Sequence, residues 1–297
     1  MLILAGVLFL NACNTKKQDS LTTEGEGTYF GQEPPGMTAE IFAPGVVSVN
    51  GRGEYAVSFS PDLDEMYFTG EWEDGVMYVY FSKLKNKKWS HPEKANLTKG
   101  RKKNEFEAFV NPGGDKIYFA AYDTIFSDEK IWYVNRSGNS RSDAKILDSP
   151  INDDLVFYPN AAKNGDLFYT SISKIKMYYA PNKNGTYPEV HELGIEYGIH
   201  GYISLSQDFI LVDAPKDNDK TKKRDIYVCF KQKDGTWSKP INLGNSVNSD
   251  FGETCPSLSP DGKYLFFSRY NEEGGISNIY WVSAEVIDRV RPPDFKE

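Results

Sequence analysis

The chain has 297 residues, and aromatic residues make up 14% of it although only 39% of its residues are apolar. Its 25 Gly and 16 Pro interrupt the sequence too often for long helices, which excludes a coiled coil and favours many short strands. The formal net charge of -8 argues against nucleic acid as a partner, because neutralising phosphates requires a basic face.

The amino terminus has the features of an export signal. Residues 1–12 are almost entirely apolar, too few to span a membrane but suited to a signal peptide. The tetrapeptide LNAC at 10–13 resembles the bacterial lipoprotein signal, in which the cysteine receives the lipid; a buried strand is the alternative. Residues 13–38 would then comprise the lipidated Cys13 and a flexible tether. The resemblance implies anchoring to a membrane of the bacterial cell envelope, on the periplasmic side or at the cell surface.

A sequence pattern recurs five times along the rest of the chain. Each copy has a short apolar segment, a turn rich in Pro, Asp, Asn or Gly, and an aromatic-rich strand, and further strand-like segments follow it. Four short antiparallel strands in such a repeat are typical of a propeller blade. The equivalent strand residues, at separations of 51, 50, 43 and 55 positions, are Phe68, Phe119, Tyr169, Val212 and Phe267. Aromatic pairs such as Tyr67-Phe68 are expected to pack between blades.

The two ends of the repeat array complete each other. The last repeat lacks a fourth strand, and residues 41–62 align with 241–261 so that Phe42 falls on Ile241 and Glu54 on Glu253. The N-terminal strand is therefore predicted to complete the last blade and close the ring, which removes exposed sheet edges. The prediction is an all-β propeller of five four-stranded blades over residues 39–291, with a tail at 292–297; six blades are the less favoured alternative.

Two segments resemble a known repeat. SPDGKYLFFS at 259–268 and SPDLDEMYFTG at 60–70 are similar to the WD40-like PD40 repeats of TolB-type β-propellers. The likeness covers nearly all of 41–285, although the third and fourth repeats lack the Ser-Pro-Asp signature. TolB also has an N-terminal α/β domain and six blades, so the resemblance implies a periplasmic propeller without indicating which residues bind a partner.

Equivalent positions at the start of each inner strand converge at the mouth of a propeller's central channel. Such a cluster could bind a divalent cation, the one cofactor considered, or supply an acid and a base for sugar chemistry. The alternative is that each carboxylate caps backbone amides at its own hairpin. Aligning the repeats gives these channel-mouth candidates: Glu54, Glu105, Asp154, His200 and Glu253.

No catalytic motif is present, so we favour a lipid-anchored envelope propeller that binds a protein or a glycan. The alternative is a carbohydrate-active enzyme, a glycoside hydrolase or lyase, that uses carboxylates in the channel. It requires two carboxyl groups roughly 5–10 Å apart in an open pocket, and a plugged channel would argue against it. A binding module predicts an exposed aromatic patch on one face. Cys229 and Cys255 are expected to be buried free thiols.

Overall fold

The computed structural model describes residues 27–138, 140–270 and 276–295. The predicted signal peptide and Cys13 lie outside these residues. Within them, five antiparallel sheets of short strands form a five-bladed β-propeller, which confirms the predicted fold class. Among the described residues, no helix has the length and apolar character that crossing a membrane requires.

Every blade has an inner, a second, a third and an outer strand, numbered from the channel outward. The inner strands are Gly53–Phe59, Asn104–Val110, Val156–Ala161, Ile199–Ile203 and Glu253–Leu258. The second strands are Glu65–Glu71, Lys116–Tyr122, Leu167–Ser171, Phe209–Pro215 and Tyr264–Tyr270. The third strands are Met77–Lys85, Lys130–Ser137, Lys176–Ala180, Arg224–Phe230 and Ser277–Ser283. The outer strands are Glu93–Lys94, Lys145–Ile146, His191–Glu192, Ile241–Asn242 and Glu40–Ile41.

A few short elements decorate the blades. Two-residue strands extend the third strands of blades 1 and 2 as hairpins, at Lys88–Trp89 and Ser140–Arg141. One α-helix is described, at Glu285–Arg289. The 3-10 helices are Thr28–Gly31, Pro150–Asp153, Lys216–Asn218 and Pro293–Phe295.

The N-terminal strand closes the ring, as the repeat count predicts. Glu40 pairs with Trp281 and Ile41 with Tyr280 on the third strand of blade 5. The register differs from the sequence alignment by two residues, because Glu40 rather than Phe42 occupies the position that Ile241 has in blade 4. Closure places strands from both ends of the chain in one sheet, which leaves no blade without its outer strand.

Residues 27–38 are folded against the propeller, in contrast to the flexible tether predicted through residue 38. Tyr29 and Phe30 are buried, and the Trp89 indole donates a hydrogen bond of 2.9 Å to the Gly27 carbonyl. The Phe30 ring stacks on Trp89 with 4.6 Å between centroids. These two aromatic side chains fill space between blades 5 and 1, which explains why the segment is held in place.

The residues after the last blade also contact the propeller. The ring of Phe295 lies 5.8 Å from that of Phe230, and the Arg291 guanidinium lies 4.4 Å from the same ring. The first residues of the predicted tail at 292–297 therefore pack on the propeller, because the ring of Phe295 is partly buried against blade 4.

The ring has two faces, which we call the loop face and the turn face. The loop face carries the starts of the inner strands and the connections between second and third strands. The turn face carries the tight turns between inner and second strands. Because the strands of a blade alternate in direction, these two sets of connections lie at opposite ends. Gly27 lies at the turn face, since its N–H donates to the carbonyl of Lys87 beyond the end of a third strand.

Aromatic residues form much of the core between blades. Tyr67 of blade 1 packs in one apolar cluster with Val110 and Phe119 of blade 2. The ring of Phe266 in blade 5 lies 5.3 Å from that of Phe59 in blade 1. The predicted packing role of the repeated aromatic pairs is confirmed, because each is buried in a cluster that contains side chains of two neighbouring blades. These residues are Tyr67, Phe68, Tyr118, Phe119, Phe168, Tyr169, Phe266 and Phe267.

Candidate functional site

Each inner strand has a β-bulge at the same place, where the pairing with the second strand shifts register. The bulge residue has a positive φ, between 47° and 57°, in every blade although none is a glycine. Such bulges redirect a side chain, here toward the channel axis. The five bulge residues are Ala56, Glu107, Tyr158, His200 and Cys255.

Three bulge residues from different blades meet on the axis. One ligating atom each of Glu107, His200 and Cys255 lies within 4.8 Å of the others. The side chain of Glu107 is 4% exposed, whereas that of His200 is 15% exposed. The cluster combines a carboxylate, an imidazole and a thiol, and His200 gives it limited access to solvent.

Asp213 orients the histidine from the neighbouring second strand. Its carboxylate lies 2.7 Å from Nδ1 of His200, pairs with Arg224, and accepts the backbone N–H of Cys255 at 3.2 Å. One oxygen of Glu107 accepts the Tyr158 N–H at 2.7 Å, and the other lies 3.7 Å from Nε2 of His200. The hydrogen bond at Nδ1 leaves Nε2 facing Glu107.

Burial and neighbouring charges shift the pKa values of the cluster residues and of Asp213. Burial raises the pKa of Glu107 to about 7, and it raises the pKa of the Cys255 thiol. Burial opposes protonation of His200, but the carboxylate of Asp213 outweighs it and raises the pKa of the imidazole well above its ordinary value. The pKa of Asp213 is lowered despite its burial, because His200 and Arg224 stabilise the carboxylate.

Side chains fill the channel beside the cluster. The Tyr158 hydroxyl donates to the Pro256 carbonyl at 2.8 Å, and Tyr202 is buried next to it. The remaining cavity, between Ala56, Glu107 and these tyrosines, has a volume of about 10 Å³. That is space for a single water molecule at most. A sugar ring therefore does not fit here, and the open pocket that carbohydrate chemistry requires is not found in this part of the channel.

The structure separates the predicted channel-mouth residues into two groups. Glu54, Glu105 and Glu253 occupy equivalent positions, two residues before their bulges. In blades 3 and 4 that position belongs to Val156 and Gly198. The three glutamates therefore form one group of equivalent residues. The other two candidates are not equivalent to them: Asp154 precedes the inner strand of blade 3, and His200 is the bulge residue of blade 4.

The four predicted carboxylates each form hydrogen bonds or an ion pair with nearby residues. Glu105 accepts the N–H groups of Leu97 and Thr98 at 2.8 and 2.6 Å. Glu54 and Glu253 pair with arginines at 2.9 and 2.7 Å. Asp154 accepts two serine hydroxyls, at 2.6 Å each, which lower the pKa of its carboxyl to about 2 although burial raises it. These contacts give each carboxylate a structural role, and their shared binding of a ligand stays a prediction.

Aligning the five repeats by sequence does not reveal the cluster, because that alignment places blade 4 two residues away from its structural register. Without a Ser-Pro-Asp turn in that repeat, His200 was matched to Glu54, whereas its structural counterpart is Ala56. The repeated glutamate could have indicated the cluster, because the residues two positions after Glu54, Glu105 and Glu253 are Ala56, Glu107 and Cys255. A bulge adds one residue to a strand, so it reverses the in-and-out alternation on which sequence patterns depend.

Exposed apolar side chains concentrate on the loop face. Seven large apolar residues are exposed among those that the structure describes. Ile146 lies on an outer strand and Leu205 in a turn of the turn face. The other five lie in, or directly beside, connections between second and third strands: Trp72, Ile125, Phe126, Ile175 and Tyr270. We call these five residues the apolar patch.

Tyr270 links the patch to the channel cluster. Its backbone N–H donates to the carbonyl of Gly252 at 2.9 Å, and Gly252 lies three residues before Cys255 on the inner strand side of the same blade. Its side chain remains 38% exposed at the end of the second strand of blade 5. The cluster therefore lies beneath the loop face.

No protein-family profile matches the chain, and no curated protein sequence does. Among solved structures, a putative TolB from Agrobacterium tumefaciens has 16% identity and a TM-score of 0.52, with 77% of this chain and 76% of that one covered. TolB from Acinetobacter baumannii has 14% identity and a TM-score of 0.46, with 78% and 57% covered. A gluconolactonase from Xanthomonas campestris has 8% identity and a TM-score of 0.48, with 87% and 96% covered. At 16% identity the likeness to the putative TolB shows the fold alone, and it agrees with the predicted β-propeller.

Proposed function

We propose that the chain is a protein-binding β-propeller, anchored in a bacterial envelope by lipid on Cys13, that contacts its partner through the loop face. The observation that carries the proposal is the apolar patch: of the seven large apolar residues exposed in the described part of the chain, five lie on one face. Single exposed apolar residues are ordinary on protein surfaces, whereas a concentration on one face is typical of an interaction site.

The most exposed part of the patch is held in position by buried polar contacts. Phe126 is 68% exposed and Ile125 is 55% exposed. The carboxylate of Glu129, which is 2% exposed, accepts the backbone N–H groups of Phe126 and Ser127. Asp128 accepts the N–H of Thr124 at 2.9 Å. The loop therefore presents two apolar side chains to solvent while its backbone is fixed from below, as a preorganised contact surface requires.

The chemistry of the patch favours a protein partner over a glycan. Sugars pack best against flat aromatic rings, but Ile125 and Ile175 are branched aliphatic side chains, 55% and 65% exposed. Aliphatic and aromatic side chains together are typical of the apolar centre of protein interfaces.

The described start of the chain does not cover the loop face. It begins at Gly27 on the turn face, where the Tyr29 hydroxyl donates to the Asp261 carboxylate at 3.4 Å in the turn of blade 5. The apolar patch, at the opposite end of the blades, is therefore accessible to a partner.

Site-specific photo-crosslinking in the native host tests the proposal. A photoreactive amino acid replaces Phe126 or Ile175 on the loop face, and Leu205 on the turn face serves as the matched control because it is also exposed. We expect the same discrete crosslinked product from both loop-face positions and none from Leu205. Crosslinks from Leu205 alone, or from none of the three positions, would overturn the proposal.

Lipid anchoring has a separate test. Cells grown with a labelled fatty acid should incorporate the label into the wild-type chain and not into Cys13→Ala. A labelled Cys13→Ala chain, or an unlabelled wild type, would contradict the anchor without affecting the loop-face interaction.

A further inference from the structure

We propose that Glu107, His200 and Cys255 bind a zinc ion on the propeller axis. This site differs from the predicted ring of channel-mouth carboxylates and shares only His200 with it. The three residues occupy the bulge positions of blades 2, 4 and 5, and their ligating atoms lie within 4.8 Å of one another.

The distances suit a small divalent ion. Zinc binds cysteine sulfur at about 2.3 Å and histidine nitrogen or carboxylate oxygen at about 2.0–2.2 Å, so tetrahedral ligand atoms are roughly 3.3–3.6 Å apart. Nε2 of His200 and the nearer oxygen of Glu107 already lie 3.7 Å apart. The ligand atoms, which lie within 4.8 Å of one another, would close to that spacing around the ion.

The residues around the cluster match the surroundings of a zinc-binding histidine. Such a histidine usually donates its second ring N–H to a carboxylate, which fixes the tautomer and the ring orientation. Asp213 provides that carboxylate 2.7 Å from Nδ1 of His200 and leaves Nε2 for the metal. Phe157 and Tyr158 flank the imidazole edge-on, with ring centroids 5.0 and 5.1 Å from it. The histidine is thus held in one orientation by a hydrogen bond and by packing.

Ligand type and charge select the metal. A thiolate and an imidazole favour zinc or a similar transition ion, whereas calcium and magnesium prefer sites made entirely of oxygen ligands. Zinc binding would release the protons of Glu107 and Cys255, and the resulting carboxylate and thiolate would balance the two positive charges of the ion. Asp213 is already paired with Arg224, so it adds no unbalanced charge.

The ion would connect blade 2 to two blades that are not its neighbours. Blade 2 contributes Glu107 and lies across the ring from the pair formed by blades 4 and 5, so a shared ion would brace the ring through its axis. The 15% exposure of the His200 side chain gives an entry path. Metal binding should therefore raise the free energy of unfolding, because only the folded ring brings the three ligands together.

The experiment uses the full chain with Cys13→Ala, which prevents lipidation and leaves Cys229 and Cys255 as the remaining thiols. The metal-free protein is titrated with Co²⁺ and then with Zn²⁺, and thiolate coordination is read from the near-ultraviolet charge-transfer absorption of cobalt. The test variant is Cys255→Ala and the matched control is Cys229→Ala, a second buried thiol that lies in blade 4 away from the cluster.

We expect the parent chain and Cys229→Ala to bind a single ion, to show the thiolate band and to unfold at a higher temperature with zinc. Cys255→Ala should lose the band. If Cys255→Ala fails to fold, Glu107→Gln decides: it should keep the band and lose at least about tenfold in zinc affinity. A folded parent chain without the band, a band that depends on Cys229, or an unchanged affinity in Glu107→Gln would overturn the proposal.

Discussion

Replacing Phe42 by alanine should remove much of the stability of the closed ring. Phe42 directly follows the N-terminal strand, is fully buried, and lies between blades 5 and 1. Its ring centroid lies 5.8 Å from that of Phe30, 6.4 Å from Phe59, 5.1 Å from Phe266 and 5.2 Å from Trp281. Truncating a buried phenylalanine costs about 3–5 kcal/mol, because apolar contacts are lost and a cavity remains. Phe42→Ala should fall in the upper part of that range, since both ends of the chain contribute to the surrounding core.

Urea unfolding followed by tryptophan fluorescence measures this loss, because Trp281 is one of the neighbours of Phe42. Phe126→Ala is the matched control: the same substitution at a side chain that is 68% exposed should change the free energy of unfolding by no more than about 0.5 kcal/mol. A loss below about 1 kcal/mol for Phe42→Ala would refute the reasoning, because it would mean that this segment does not close the ring.

Two further predictions concern the buried glutamates. Glu105→Ala should cost about 2–3 kcal/mol in urea unfolding, because the N–H groups of Leu97 and Thr98 lose their acceptor, and Glu105→Gln should cost less; equal losses would speak against a capping role. Burial raises the pKa of Glu54 from 4.5 to about 7, so the folded state holds this proton more tightly than the unfolded state. Its contribution to stability is therefore greatest below pH 4.5 and falls by up to about 3 kcal/mol as the pH rises through about 7. The unfolding free energy should depend less on pH in Glu54→Gln between about pH 5 and about pH 8, and an unchanged pH dependence would contradict this assignment.

Local sequence signals were sufficient to predict the propeller. The turn at 259–262 and its relatives are read from residue type alone, and alternating aromatic residues identify the strand that follows each turn. Ring closure was also predictable, because an unpaired segment at one end of the chain matched a missing strand at the other. These features depend on short stretches of chain and on the need of every strand edge for a partner.

The channel cluster and the ordered segment before the first strand depend on contacts that sequence does not reveal. A bulge at His200 changes which side chains face the axis, and no turn signature in that repeat fixed the register. Tyr29 and Phe30 follow a polar segment, and they are buried only because blades 5 and 1 leave a gap that fits them. Both outcomes arise from packing between parts of the chain that are far apart in sequence.

The two proposals concern neighbouring parts of one assembly. The apolar patch lies on the loop face, and the three-ligand cluster lies beneath it on the axis. An ion that braces blades 2, 4 and 5 would also hold the loops that leave those blades. The metal proposal stands independently of partner binding, however, since its ligands are buried within the ring.

Hydrogen exchange on the purified chain, with and without the partner identified by crosslinking, shows whether the loop face is the binding surface. Backbone amides in the loops at 72–76, 123–129 and 172–175 should exchange more slowly when the partner is bound, and those in the turns at 61–64 and 205–208 should be unchanged. Protection confined to those turns, with the three loops exchanging as in the free chain, would contradict binding at the loop face.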